Sequence, residues 1–360
     1  MTRPLFVFVA SLFFGHALAQ QYELETVADD LDEPWCVAFL PNGDYLVTEM
    51  SGRLVRLDAT GKSRASISGV PEVYRDSQGG LFDVALHPDF AANQTLYLSY
   101  AEGPARKNAT TVARARLDGE QLADVKVIYS VSPRKDTPVH YGGRLLFLPD
   151  GTLLLTTGDG FDYREAAQDI KSGLGKVIRM NDDGTPAANN PLAKAPHVYS
   201  YGHRNPQGLA ITQAGRVYLH EHGPRGGDEL NLLEAGVNYG WPAITHGVDY
   251  SGALVSPFTE WKGMAQPLHH WTPSIAPSGL AVYEGADFPD WRGDLFVGAL
   301  VHREVRRLDM KDGKFVGEEA VFPEIRARIR DIRISPADTI HILTDGSPGR
   351  LIRVVPAAGD

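Results

Sequence analysis

Apolar and polar residues alternate along this chain in short runs, and the runs come in pairs joined by turn residues. "PWCVAFLPNGDYLVTEMSGRLVRLD" (34–58) leads an apolar run into a Pro-Asn-Gly turn, then a second alternating run and a polar hairpin. The same arrangement returns in "GGLFDVALHPDFAANQTLYLSY" (79–100), "GGRLLFLPDGTLLLTTGDG" (142–160) and "NPQGLAITQAGRVYLHEHG" (205–223). It appears twice more, in "APSGLAVYEGADFPDWRGDLFVGAL" (276–300) and "IRDIRISPADTIHILTDG" (329–346). Alternation with a period of two between turn residues predicts β-hairpins. Repeats that each hold three or four short strands predict propeller blades. One four-stranded sheet cannot bury both of its faces, whereas a ring of sheets covers every face and leaves only short edges. Six repeats therefore predict an all-β fold: a six-bladed β-propeller of four-stranded antiparallel blades, one domain over residues 20–360. A β-sandwich would need fewer, more evenly short strands, and a Rossmann unit would need interleaved amphipathic helices. Only "REAAQDIKSGLGKVIR" (164–179) predicts a helix, and a short one.

The first residues break the pattern. "MTRPLFVFVASLFFGHALAQ" has one early cation, Arg3, an apolar stretch from Leu5 to Phe14, and small residues at Ala17 and Ala19. This predicts a secretory signal over residues 1–19, too short in its apolar part to span a membrane. No later apolar run is long enough to span, so the expected product is a soluble periplasmic protein. The formal net charge is -10 at pH 7. That balance argues against nonspecific nucleic-acid binding, which needs a basic patch. Cys36 is the only cysteine, so no internal disulfide forms, and its neighbours Trp35 and Val37 predict a buried apolar role.

Candidate chemistry lies where one strand ends and the next begins, positions that ring one mouth of a propeller channel. His140 precedes the strand of "VHYGGRLLF", where a neutral imidazole can accept a hydroxyl proton; the competing reading is a structural histidine. Asp159, closing the same hairpin, is either a turn former or the group that orients a histidine. Arg204 and Asn205 in "YGHRNPQGLA" suit an anionic or quinonoid oxygen, or else a structural salt bridge. Gln78 occupies the comparable place in the second repeat, and Arg328 and Arg330 occupy it in the sixth. Alternate strand residues share a face, so both arginines can reach one polyanion; a charged strand edge is the plainer alternative. The recurrence of polar residues at one topological position in four repeats favours a shared site.

"HEHGPRGGDELNLLEAGVNYGWP" (220–242) raises a different question. Gly223 and Pro224 offer carbonyls of the kind calcium takes, and "RGGDE" is either a carboxylate source or a tight turn. "THGVDYSG" (245–252) adds Asp249 among the loop carbonyls of Thr245 and Gly247, without the dense acidic loop of an EF-hand. No dinucleotide fingerprint, phosphate-binding loop, haem motif or nucleophile elbow is present.

The motifs "SQGGLFDVALHPDF", "HYGGRLLFLPDGTLLLTTGDG", "YGHRNPQGLA", "EHGPRGGDELNLLEAGVNYGWP", "WTPSIAPSGLAVY" and "RIRDIRISPADTIHILTD" resemble those of the soluble pyrroloquinoline-quinone (PQQ)-dependent sugar dehydrogenases. The likeness covers nearly all of residues 25–355 and is nearer to the periplasmic aldose sugar dehydrogenases than to the soluble glucose dehydrogenases. It implies a quinone lying over the channel mouth, with His140 as base and Arg204 over the reactive carbonyl. It further implies that Gln78 and Asn205 contact the quinone and that Arg328 and Arg330 meet its carboxylates. By the same resemblance, Gly223 and Pro224 hold a calcium ion shared with the quinone, and Thr245, Gly247 and Asp249 belong to a second, structural calcium site. The implied reaction is oxidation of aldoses at C1 to aldonolactones, with electrons passed to an external acceptor. The chain departs from the family where "GALVHREVRRLD" lacks a lysine, leaving Arg303 nearby, and where Ala265 in "GMAQP" removes a carboxylate near Glu260. Two other readings stay open: a calcium-dependent propeller lactonase or esterase, and a non-catalytic sugar-binding propeller.

Overall fold

Six four-stranded antiparallel sheets form the structure, a computed structural model that describes residues 22–357. The proposed leader, residues 1–19, lies outside the described residues. Blade one uses Pro34–Phe39, Tyr45–Glu49, Arg53–Leu57 and Arg64–Ile67; blade two uses Leu81–Leu86, Thr95–Glu102, Ala109–Asp118 and Gln121–Ser130. Blades three to five follow in sequence, their innermost strands being Leu145–Phe147, Pro206–Ile211 and Pro277–Val282. Blade six differs. Its inner strands are Ile329–Ile334, Ile340–Thr344 and Gly349–Pro356, and its outermost strand is Tyr22–Leu31 from the other end of the chain, pairing Tyr22 with Pro356 and Leu31 with Gly349. Each innermost strand packs against the next, from blade one round to blade six and back. The ring is closed by backbone hydrogen bonds between the two ends of the described chain, which give blade six its fourth strand.

Burial explains the strand pattern. The second strand of five blades is wholly buried, as in Leu153–Thr157 and Val217–Glu221, whereas the outer strand Lys314–Val321 is largely exposed. Six apolar clusters each bridge neighbouring blades; Tyr97 and Val112 of blade two, for example, pack with Leu145, Leu155 and Ile178 of blade three. The predicted turns form between first and second strands, where Gly43, Gly151 and Gly215 adopt positive φ and Asp338 does so in blade six. The predicted helix at 164–179 is not formed. Arg164–Ala167 is a single 3-10 turn, and Lys176–Met180 is the third strand of blade three. Gly173 and Gly175 break any helical run there, and the β-branched Val177 and Ile178 pair better in a buried strand.

The channel is filled rather than open. Arg144 of blade three pairs with Asp331 of blade six at 2.9 Å, and Arg333 reaches Asp83 of blade two and Asp331, each at 2.9 Å. Arg144 Nε also donates to the Gln207 carbonyl of blade four, and its guanidinium stacks 4.0 Å from the Trp35 ring of blade one. Cys36 is buried here as expected, its thiol donating to Asp83 Oδ1 at 2.8 Å. Charges are tolerated at this depth because each is answered by an opposite charge and by hydrogen bonds.

Candidate active site at the channel mouth

The residues entering the innermost strands turn sharply. Glu33, Ser77, His140 and Ala276 all take positive φ immediately before or within a few residues of those strands, and Gly202 does so in blade four. This left-handed step costs a non-glycine residue energy and aims its side chain off the strand path. At His140 it presents the imidazole to the second and third strands' loop. His140 Nδ1 bonds Asp159 Oδ1 at 2.7 Å, and the His140 backbone amide donates to Gln78 Oε1 at 2.8 Å. Asp159 Oδ2 accepts from Trp241 Nε1 at 2.8 Å, so both carboxylate oxygens are committed. A carboxylate on Nδ1 places the ring proton there and leaves Nε2 as the acceptor. Burial pushes the imidazole below the ordinary histidine value, and the bond to Asp159 opposes this without cancelling it. Burial alone would raise the Asp159 carboxyl, but His140 and Arg204 hold it below the usual carboxylate range. The imidazole is thus fixed in orientation, with the Asp159 carboxylate on its Nδ1.

Arg204 stands beside it, buried. Its backbone amide donates to Glu221 Oε2, whose other oxygen bonds His203 Nδ1 at 2.8 Å. Arg204 Nη1 donates to the Gly223 carbonyl at 2.6 Å and the His222 carbonyl at 3.2 Å. The guanidinium also sits 5.3 Å from the Trp241 ring centre. Asn205 Oδ1 accepts from the Gly142 amide at 3.1 Å, tying blade four to blade three. His203, next to Arg204, is fully buried between Ser200, Glu221 and the Tyr239 ring and acts as a prop.

A cavity of about 400 Å³ opens at the mouth, lined by Gln78, Asn205, His222, Arg328 and Arg330 among others. Arg328 Nε and Arg330 Nε bond separate oxygens of one carboxylate, Asp345, at 2.7 and 2.8 Å. Burial would raise the Asp345 carboxyl, but the two arginines hold it below its ordinary value. Two cations on one anion leave surplus positive charge at the cavity wall, which suits an anionic ligand. Arg75, which the sequence reading passed over, adds a third guanidinium to the lining and pairs with Glu33 at 2.7 Å.

The "HEHGPRGGDE" stretch divides its labour. A Cβ on Gly223 would lie 2.3 Å from the Gly226 carbonyl, so only glycine fits this close approach of backbone to backbone. Asp228 Oδ1 accepts from the Gly223 amide, and Oδ2 accepts from Ser274, Ile275 and Ala276, so this carboxylate fixes loops. His222 Nε2 bonds the Pro277 carbonyl at 2.6 Å, and the ring lines the mouth cavity. His220 is buried between the inner strands of blades four and five, against the Gly279 carbonyl and Gly208. A second, small cavity lies behind Gly223, lined by Glu221, Glu229, Thr245 and Trp241 among others. Burial and the neighbouring Glu221 push the Glu229 carboxyl up to about 8. Thr245 belongs to this cavity and its Oγ1 accepts from the Gly247 amide at 3.2 Å. Asp249 stands apart from it: its carboxylate caps Ser251 and lies 3.7 Å from Arg164. Pro224 is buried beside Gly247, and Arg303 sits on an exposed turn outside the lining of the mouth cavity. Among the described residues no group of three or more His, Cys, Asp and Glu side chains is arranged to hold a metal.

The family model for "Glucose / Sorbosone dehydrogenase" matches residues 31–353. The chain belongs to this family. It is 39% identical to the aldose sugar dehydrogenase YliI of Escherichia coli over 92% of each chain. It is 25% identical to quinoprotein glucose dehydrogenase B of Acinetobacter calcoaceticus, over 92% of this chain and 87% of that one. The PQQ-bound aldose sugar dehydrogenase of Streptomyces coelicolor superposes with a TM-score of 0.78 at 31% identity, covering 93% of this chain and 98% of that one. The protein is thus an oxidoreductase of the sugar dehydrogenase family on a six-bladed propeller. Among the described residues, no helix is long and apolar enough to cross a membrane.

Proposed function

We propose that this protein oxidises aldoses at C1 to aldonolactones, using PQQ held at the mouth cavity with calcium. The observation that carries this reading is the arginine-rich wall of the mouth cavity, with the oriented imidazole of His140 held next to it through the bond of the His140 amide to Gln78, which lines that cavity. The residues fit the group. PQQ is a planar tricarboxylate, and Arg328 and Arg330 together present more donors than Asp345 can use, while Gln78 and Asn205 supply amides at the same wall. Calcium takes carbonyl and carboxylate oxygen. The Gly223 and Pro224 carbonyls remain the proposed ligands beside the quinone, and Thr245, Gly247 and Asp249 remain the proposed residues of the second calcium site.

When bound, the quinone would supply a two-electron acceptor for the C1 hydride, with an external acceptor as the final destination of the electrons. His140 Nε2 takes the C1 hydroxyl proton as the lactone carbonyl forms, so both hydrogens lost by the sugar are accounted for. Asp159 stabilises the imidazolium so produced and keeps the ring in its tautomer. Arg204, fixed by the Gly223 and His222 carbonyls, supplies permanent positive charge next to the base, where it stabilises developing negative charge on oxygen. The lactonase alternative needs acids converging on a channel metal, but the channel acids Asp83 and Asp331 are spent on Arg144 and Arg333. Export to the periplasm rests on residues 1–19.

The test is dye reduction by purified protein incubated with calcium and PQQ, using glucose and other aldoses. Turnover dependent on both additions is expected, and none with any aldose overturns the reading. His140→Ala should keep cofactor binding while losing about 10²–10⁴-fold in kcat, the usual range for a general base; undiminished turnover removes the base assignment.

A further inference from the structure

Two large aromatic rings stand well exposed beside His140 and Arg204 and belong to none of the apolar clusters between blades. Phe161 is 43% exposed and Tyr250 59%. They come from separate excursions, one following Asp159 in blade three and one within the long segment between the third and fourth strands of blade four. Their rings are nearly parallel, 21° apart, with centres separated by 6.3 Å. Each is attached to a residue of the proposed chemistry. The Phe161 amide donates to Asp159 Oδ1 at 2.7 Å, and the Phe161 ring meets the His140 imidazole edge-on at 5.1 Å. Arg204 Nη2 donates to the Tyr250 hydroxyl at 3.4 Å.

The backbone at Phe161 makes the case sharper. Its φ is 69°, a left-handed conformation that is a genuine outlier for a bulky side chain. Glycine would occupy this position without strain, as Gly160 does immediately before it. The conformation points an apolar ring into solvent, so burial does not offset the strain. An aromatic wall of this kind suits a ligand with a flat, weakly polar C–H face, which the negative face of the ring attracts. A pyranose has such a face; a short-chain hydroxy aldehyde does not.

We propose that Phe161 and Tyr250 form a carbohydrate-stacking subsite that holds a pyranose ring beside His140 and selects cyclic sugars over open-chain aldehydes. The inference rests on the sugar-oxidising reading and can be judged apart from it. Two measurements on Phe161→Ala, Tyr250→Leu and Tyr250→Phe suffice, after melting curves show that each variant is folded. In the PQQ- and calcium-loaded protein, the ratio of KM for glucose to KM for glyceraldehyde should rise about threefold to tenfold in the alanine and leucine variants, the span of one aromatic contact. Tyr250→Phe, which keeps the ring and loses the bond to Arg204, should leave that ratio near the parent value. The second measurement is saturation-transfer NMR with methyl β-glucoside, whose blocked C1 prevents oxidation. Ring-proton saturation is expected in the parent protein and should be lost in the Phe161→Ala, Tyr250→Leu double variant. An unchanged KM ratio overturns the subsite, as does undiminished saturation in the double variant. Should the parent oxidise no aldose, the catalytic reading fails, and loss of saturation in the double variant still supports the subsite.

Discussion

Two sets of arginines and carboxylates lie one above the other in this propeller, and they are built differently. In the channel, Arg144 and Arg333 face Asp83 and Asp331, two cations for two anions, and the Arg144, Asp83 and Asp331 side chains are almost wholly buried. At the mouth, Arg328 and Arg330 share Asp345, and the Arg328 side chain is 44% exposed. The channel set is charge-balanced and joins blades two, three and six. The mouth set is left with a net positive charge and open donors. Balance marks a structural network; imbalance beside a cavity marks a place for a charged ligand. The two are in contact, since Arg144 Nη2 donates to the Arg330 carbonyl at 3.4 Å, so the balanced layer supports the unbalanced one from below.

The comparison is sharpest where one partner is removed. Asp331→Ala leaves Arg144 and Arg333 facing a single buried carboxylate, and should cost about 3–5 kcal/mol of stability, read from the denaturant midpoint. A loss below about 1 kcal/mol, the range of an exposed pair, would break the distinction. Arg330→Ala should show the reverse split, weakening PQQ binding by about 1.5–3 kcal/mol, the worth of a hydrogen bond to a charged group. Its unfolding midpoint should shift much less than that of Asp331→Ala; the opposite ranking would make the mouth arginines structural. A smaller effect depends on pH. His220, buried between blades four and five, is held down to about 3, and His140 is held below the ordinary value near 6.5. For both, the unfolded chain binds protons that the native state refuses as pH falls below about 6.5, so stability declines in that direction. The acid limb of kcat should nevertheless lie below about 6.5, because His140 stays neutral and able to accept a proton there. A limb centred above 7 would contradict the burial-lowered base.

Much of this was legible in the chain. The blade count follows from turn residues between alternating runs, and His140, Arg204, Asn205 and Arg328 stand out by their place before innermost strands. What was hidden depends on distance in sequence. Tyr22–Leu31 joins blade six only because its partner, Gly349–Pro356, lies at the other end, and no local pattern announces that pairing. Trp241 fixes Asp159 from 82 residues away, and the segment that carries it has no periodicity to read. Residues 164–179 looked helical because Ala, Glu and Gln favour helices, but burial between blades decided in favour of strand for 176–180. Glu229 closes the "RGGDE" run, which reads equally as a carboxylate source or a tight turn; that its carboxyl is pushed up to about 8 by burial and by Glu221 depends on the fold. Lys135 was equally silent. It is buried with its ammonium 3.4 Å from the Tyr141 ring centre, and burial drives it down to about 7.

The central claim is that the unbalanced mouth binds a polyanionic quinone. The measurement that tests it most directly is a spectroscopic titration of the purified protein with PQQ in the presence of calcium, followed by addition of glucose. Saturation at one quinone per chain, and reduction of the bound cofactor by the sugar, are predicted. A titration with no saturable change, with or without calcium, would contradict the account.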